Sequence, residues 1–330
     1  MVVTIKQTNH AVPCKISCLA YQNPEGSGRE KYLCYGTYNS PNISSNWLNF
    51  AKIDNNNTLC ILDELHHEAE IFFEPQSLLM LDRTGSVTVL KLTEKFNVIS
   101  EFSPKTLGLY RETMRSVDRT TDNLILGAGA IGNVYLNDLS QQKLVSKFAN
   151  VSSTALRTIN SLQNNTFLVG NIGGQVKLCD AVIGSDCCVK MFRLKGDLSG
   201  VYSVAPNPND EHNFLAGYED GSIRVWDSRK EEFPISKLNV HEGSVNKIMF
   251  SRRHIHVVYS CCSKGRMLML DPGTEKVENI WSKISAYEHE MKATELNSCG
   301  VLPINTLDNS ENQIIAGGDA QYLFQIELNY

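Results

Sequence analysis

The sequence predicts an all-β chain folded as one β-propeller of seven four-stranded blades, the last closed by the N-terminal strand. Three observations predict it. A strand–turn–strand unit recurs with its turn glycine at a nearly constant spacing. Seven copies of about 47 residues consume the whole 330-residue chain. No stretch of any length carries the 3.6-residue apolar period of a helix.

The clearest unit runs from Leu215 to Asp227, LAGYEDGSIRVWD. It reads as a strand, a tight Asp220-Gly221 turn, and a second strand ending in Trp226-Asp227. Asp-Gly between two alternating apolar runs is a hairpin signal, because glycine accepts positive φ at no steric cost. The same grammar recurs at 78–92, 124–139, 167–180 and 257–271. Aligned on the turn, the glycines are Gly85, Gly132, Gly174, Gly221 and Gly265, spaced by 47, 42, 47 and 44 residues. Degenerate copies flank them, with second strands at Trp47 and Tyr322. The period and the Trp-Asp ending are those of a WD40-type blade. Short β runs at 70–73, 143–148, 156–162, 189–194, 234–238 and 245–250 supply the remaining strands.

This places the blades at about residues 14–67, 68–103, 114–151, 154–194, 200–241, 244–284 and 293–328. The chain ends just after the third strand of the last copy, and the run Val2-Val3-Thr4-Ile5-Lys6 is otherwise unassigned. Strand 2–7 is therefore expected to complete the last blade and cover an edge that would invite aggregation. The stretch from Phe102 to Arg119 reads as a loop before the third blade. The best candidate for a short helix is Lys283 to Lys292.

Length alone suggests two domains, but the repeat count makes one. Lys+Arg number 31 against 36 Asp+Glu, a net charge of −5 with pI about 5.9. That balance argues against general nucleic-acid binding, which needs a basic footprint. No apolar run approaches the roughly 20 residues of a transmembrane helix. The first residues do not form a secretory signal. The ten cysteines contain no Cys-x-x-Cys, and the pairs Cys187-Cys188 and Cys261-Cys262 make no zinc ligand set. They read as free buried thiols of a reducing compartment. The sequons at Asn42, Asn56, Asn150 and Asn164 then read as polar turn residues. His66-His67 and His254-x-His256 lack the carboxylate or cysteine that would complete a metal site.

Gly127-x-Gly129-x-x-Gly132 spells a dinucleotide fingerprint, but no helical face follows it and no acidic residue stands about 20 positions on. Asp220 reads as the cap of its own turn, and Trp226 as a buried anchor between blades ahead of Asp227. His241, in Val-His-Glu-Gly, reads as an inward-bonding residue that opens the next unit. No acid/base pair, nucleophile elbow or metalloprotease motif appears. The expectation is a protein that is not an enzyme and needs no cofactor or metal. Trp226-Asp227-Ser228-Arg229 also matches the short Trp-Asp-x-Arg signature of propellers that serve cullin-type ubiquitin ligases as substrate receptors.

Three stretches carry a closer resemblance. The first is Cys14-Lys15-Ile16-Ser17 with Tyr21, Pro24, Gly26-Ser27 and Tyr35-Gly36-Thr37-Tyr38-Asn39. The second is Val201 to Asp227 with Phe233-Pro-Ile-Ser-Lys-Leu and Val240-His241-Glu242. The third is Leu302-Pro-Ile-Asn-Thr-Leu-Asp308 with Gly317-Gly318-Asp319-Ala320. In order and along nearly the whole chain, these resemble the WD-repeat nucleoporins of about forty-three kilodaltons, subunits of the Y-shaped outer-ring complex of the nuclear pore. Lys264-Gly265 in place of Asp-Gly, and Met269-Leu-Asp271 without a Trp, fit a divergent invertebrate member.

The resemblance implies a non-catalytic scaffold at the nuclear envelope that supports protein and mRNA transport. It implies docking chiefly on the α-helical nucleoporin of about eighty-five kilodaltons, with no direct contact to nucleic acid or membrane. It also implies association with kinetochores in mitosis. No motif marks partner-binding residues; Arg252-Arg253 and the 102–119 stretch are candidates. The alternative class is a WD40 adaptor, either a ubiquitin-ligase substrate receptor or the propeller partner of a methyltransferase.

Overall fold

The computed structural model describes residues 4–12, 14–22, 31–38, 47–53, 59–66, 69–74, 77–82, 87–92, 98–102, 114–121, 124–138, 140–141, 143–184, 186–273, 280–287, 291–298 and 302–329. For most of 61–102 it describes the backbone. Among the described residues the strands form seven four-stranded antiparallel sheets, and nearly every sheet is contiguous in sequence.

The first comprises Lys15–Gln22, Lys31–Tyr38, Trp47–Ile53 and Leu59–His66; the second Ala69–Glu74, Ser77–Asp82, Val87–Leu92 and Val98–Phe102. The third holds Met114–Thr121, Leu124–Gly129, Val134–Asp138 and Lys143–Phe148; the fourth Leu156–Ser161, Thr166–Asn171, Val176–Asp180 and Cys188–Phe192. The fifth holds Val201–Pro206, Asn213–Tyr218, Ser222–Asp227 and Ser236–Asn239; the sixth Val245–Phe250, Val258–Cys262, Arg266–Asp271 and Lys292–Ser298. The seventh holds Ile304–Asn309, Gln313–Gly318 and Tyr322–Asn329, with Thr4–Ala11 as its outer strand.

The first strand of each sheet lies beside the first strand of the next, and Ile304–Asn309 of the seventh returns to Lys15–Gln22 of the first. This is the arrangement of a β-propeller. The core sits between sheets. One cluster joins Val204, Phe214 and Trp226 of the fifth sheet to Leu168, Val176 and Phe192 of the fourth. Others join the fifth to the sixth, the sixth to the seventh, and the seventh to the first.

The turn glycines set the hairpins. Gly132, Gly174, Gly221 and Gly265 have φ of +92°, +80°, +83° and +76°, while Gly85 lies outside the described residues. In the degenerate seventh unit Gln321 holds this left-handed conformation, at φ +60°. Two sequon asparagines, Asn150 and Asn164, also sit at φ +56° and +58°, as turn residues; Asn42 and Asn56 lie outside the described residues.

Four readings are corrected. The N-terminal strand pairs over Thr4–Ala11, longer than the expected 2–7. Of the Phe102 to Arg119 stretch read as a loop, Phe102 ends a strand of the second sheet and residues 114–119 belong to Met114–Thr121, the first strand of the third sheet, irregular because its register slips twice; residues 103–113 lie outside the described residues. Lys292–Ser298 is the fourth strand of the sixth sheet, so that blade does not end at 284 and the next begins at Ile304 rather than 293. The reason is an insertion after Asp271. It carries a 3-10 turn, Ile280–Lys283, and then a helical turn, Ile284–Tyr287, which falls within the Lys283 to Lys292 stretch read as a short helix and occupies its first part. Ile280, Trp281 and Ile284 bury against the fifth and sixth sheets, and Trp281 Nε1 donates to the His256 carbonyl at 2.9 Å. His254 and His256 lie in the turn between the first two strands of the sixth sheet.

Candidate functional site

The two central strands of the fifth sheet are buried along their whole length. A strand covered on both sides must satisfy every polar group internally, and here that requirement builds a network. Asp220 Oδ1 accepts the Ser222 amide at 3.0 Å and its hydroxyl at 2.6 Å, closing the turn. Gly221 lets the turn press on the following link: a methyl there would lie 2.1 Å from the His241 carbonyl oxygen. The His241 amide in turn donates to the Gly221 carbonyl at 3.2 Å.

Arg224 is the residue that alternation alone did not reveal. Its guanidinium, 1% exposed, lies 3.7 Å over the Tyr218 ring. It donates to Asp197, to Asp220 at 3.2 Å and to Ser222 Oγ at 3.2 Å, while Lys237 Nζ reaches Asp220 at 2.9 Å. Burial opposes ionisation of Asp220, but the bonds from Ser222 and Lys237 and the Arg224 charge outweigh it and hold the carboxyl at about 2. The signal was present in the sequence: one cation inside a strand whose neighbours are all apolar or small. Arg224→Met removes the charged hydrogen bonds but leaves Asp197 and Asp220 in partial contact with water. It is expected to cost about 2–3 kcal/mol, measured as a shift in the urea midpoint.

Trp226 is fully buried. Its Nε1 donates to the Tyr218 hydroxyl at 3.2 Å, and its ring meets Phe192 of the fourth sheet edge-on at 5.8 Å. Asp227 accepts the Arg229 amide at 2.9 Å and two Arg229 guanidinium nitrogens, Nε at 2.9 Å and Nη2 at 2.7 Å, and these bonds lower its pKa. The Arg of the Trp-Asp-x-Arg signature is thus folded back on its own Asp.

His241 is buried, with Nε2 at 2.8 Å from Ser260 Oγ in the sixth sheet. Its Nδ1 is buried with no partner. The sixth turn carries Lys264 where the fifth carries Asp220, so no turn carboxylate faces that nitrogen. Burial, and then the Arg266 charge, lower the His241 pKa to about 4. The unfolded chain, with a histidine near 6.5, therefore binds the proton first as pH falls. Stability is lost between about pH 6.5 and 4, by roughly 3 kcal/mol when complete. Urea midpoints taken across that interval should fall for the native chain and flatten for His241→Gln; equal slopes would contradict this.

The described cysteines are free, and no cluster of His, Cys, Asp or Glu among the described residues could hold a metal ion. No helix of the described chain is long and apolar enough to cross a membrane. Asp220, Arg224, Trp226 and His241 are bonded to neighbouring side chains, and these bonds tie the turns and links of the fourth, fifth and sixth sheets.

Comparisons with known proteins agree with this architecture. The family model for the WD domain, G-beta repeat, matches residues 186–227, the outer strand of the fourth sheet through the third strand of the fifth. The chain is similar to nucleoporin Nup43 of Homo sapiens, 21% identical over 307 residues, covering 80% of this chain and 81% of that protein. It is similar to the nuclear pore complex protein nup43 of Dictyostelium discoideum, 25% identical over 133 residues, covering 39% and 31%. A shorter match, 28% identical over 118 residues and covering 34% and 23%, joins it to the ribosome biogenesis protein ytm1 of Neurospora crassa. The long match covers four-fifths of both chains, and this chain is accordingly Nup43-like, a WD-repeat protein similar to that nucleoporin.

Proposed function

We propose that this chain is a non-catalytic scaffold subunit of the outer ring of the nuclear pore, folded as one domain of seven blades over residues 1–330. The observation that carries the reading is the length of the match: 80% of this chain against 81% of the human nucleoporin. In this reading Gly85, Gly132, Gly174, Gly221 and Gly265 shape the turns, while Asp220, Trp226, Asp227 and His241 are structural. The disc docks on the α-helical outer-ring nucleoporin of about eighty-five kilodaltons, supports protein and mRNA transport at the nuclear envelope, and follows its complex to kinetochores in mitosis. A rigid disc suits such work because it offers two faces and a rim without any reactive group.

Affinity purification followed by mass spectrometry tests this. Recovery of outer-ring nucleoporins is expected. Recovery of cullin adaptors or an arginine methyltransferase without nucleoporins would support the adaptor reading instead. That alternative rests on the Trp-Asp-x-Arg match, and a ligase adaptor would have to compete with Asp227 for Arg229.

A further inference from the structure

Aligned on the turn glycines Gly174 and Gly221, the fourth sheet carries Cys179-Asp180 where the fifth carries Trp226-Asp227. Asp180 does the work of its counterpart and caps the following turn, its Oδ1 accepting the Val182 amide at 2.8 Å. Cys179 cannot fill the seam as an indole does. The turn folds a second cysteine in beside it: Cys187, 1% exposed, joins Cys179 in the cluster between the third and fourth sheets, with Cys188 packed against them. Three thiols therefore meet at one seam.

Backbone pairing fixes their relation. Cys179 stands directly opposite Cys188 in the ladder between Val176–Asp180 and Cys188–Phe192. The Asp180 amide donates to the Cys187 carbonyl at 2.8 Å, so Asp180 and Cys187 form a hydrogen-bonded pair and the adjoining Cys179 and Cys188 a non-hydrogen-bonded one. Opposed residues of that kind have Cα atoms about 4.5 Å apart and side chains on one face. Disulfides span about 4.4–6.8 Å between Cα atoms. Cys187 and Cys188, joined by a trans peptide, are about 3.8 Å apart, too close for an unstrained bond to each other. Cys179 is the common partner, hydrogen-bonded to both of the others.

The surroundings divide the roles. The bond from Cys179, together with the Lys177 charge, holds the Cys187 thiol below the ordinary cysteine range against burial and the Asp186 charge. Cys187 is shut inside the core, whereas Cys188 is half-buried, and its thiol donates to the Lys190 carbonyl at 3.6 Å. Burial raises the Cys188 pKa and Lys177 opposes the rise, so this thiol reacts slowly and answers sustained oxidant rather than a brief pulse. The strand that Cys188 opens is the outer edge of its sheet, with Val189 and Met191 49% and 44% exposed. It is also tied to the turn of the fifth sheet: Lys190 Nζ donates to the Ser228 carbonyl at 2.8 Å, and the Met191 amide to Glu231 at 3.4 Å.

We propose that hydrogen peroxide closes a disulfide between Cys179 and Cys188, which locks the outer strand of the fourth sheet and the rim it presents. Peroxide oxidises the Cys188 thiol to a sulfenic acid; its O–O bond breaks and water leaves. The Cys179 sulfur then displaces the hydroxyl, and its own proton departs with that hydroxyl as a second water. Two thiols and one peroxide become a disulfide and two waters. A dithiol reductant reopens the bond by exchange. The inference stands whichever complex the chain joins.

The test treats the reduced full-length chain with excess hydrogen peroxide, blocks the remaining thiols, and maps disulfides in a non-reducing peptide digest. A Cys179–Cys188 link within one chain is expected, undone by dithiothreitol. The bond closes a short loop of the chain, and the oxidised protein should melt roughly 3 °C higher. Cys188→Ser, at a half-buried position, should abolish both the link and the rise, and Cys187→Ser should retain both. Oxidation of Cys188 to the sulfinic acid without a link overturns the proposal, as does a link to Cys187, a link between two chains, or a link that leaves the melting temperature unmoved.

Discussion

Removing residues 1–11 is expected to lower the melting temperature by roughly 10 °C or more and to make unfolding irreversible. The segment Thr4–Ala11 pairs residue for residue with the last strand, from Thr4 opposite Asn329 to Ala11 opposite Tyr322. The Val12 amide adds a bond to the Gln321 carbonyl at 2.9 Å. The strand itself is mostly polar; only Ile5 packs on the cluster that holds Ile326 and Leu328. Its contribution therefore lies in the ladder, where each net hydrogen bond is worth about 1 kcal/mol. Less the entropy of ordering the strand, an overall loss on the order of 5 kcal/mol follows. The second consequence is larger in practice. Tyr322–Asn329, YLFQIELN, becomes a bare edge rich in β-forming residues, with Leu323, Phe324, Ile326 and Leu328 close behind it. Such an edge pairs with other chains. Light scattering during a thermal scan reports this directly. A truncated chain that melts reversibly, within a degree or two of the parent, would contradict the closure.

Trp226→Ala is the largest single-residue effect expected, about 3–5 kcal/mol. The indole fills the seam between the fourth and fifth sheets, against Phe192 and Phe214, and its removal leaves a cavity that two rigid sheets cannot close. It also strips the Tyr218 hydroxyl of its donor. Tyr218 carries Arg224 on its face, so the loss propagates into the Asp197–Arg224–Asp220 network. Trp226→Ala and Arg224→Met should therefore not add: the double variant is expected to lose less than the sum, as residues sharing a partner do. Trp226→Phe keeps most of the packing and should cost about half as much. Urea unfolding of the four chains measures all of this, and a cost for Trp226→Ala below about 1 kcal/mol would contradict the anchor role.

The repeat was legible because its signal is a backbone requirement. A turn that needs positive φ selects glycine at Gly132, Gly174, Gly221 and Gly265, and that choice survives when the rest of the unit drifts. Closure by the first strand was legible by elimination, since one blade lacked a strand and one strand lacked a blade. The sixth blade misled because its last strand stands beyond an insertion, and the three apolar residues that anchor the insertion, Ile280, Trp281 and Ile284, look like any other hydrophobic run. The bulge residues of the first strands were hidden for another reason. Which face a strand residue takes depends on register, and a one-residue slip redirects Arg115, Arg157 and Tyr202 without leaving a mark in the sequence.

The most direct measurement of the central claim is the position of the chain in an interphase cell. A fluorescently tagged full-length chain, imaged with a marker of nuclear pores, should form a punctate rim at the nuclear envelope coincident with that marker. A nucleolar signal, as ribosome assembly would require, or a diffuse cytoplasmic one, would contradict the assignment to the pore.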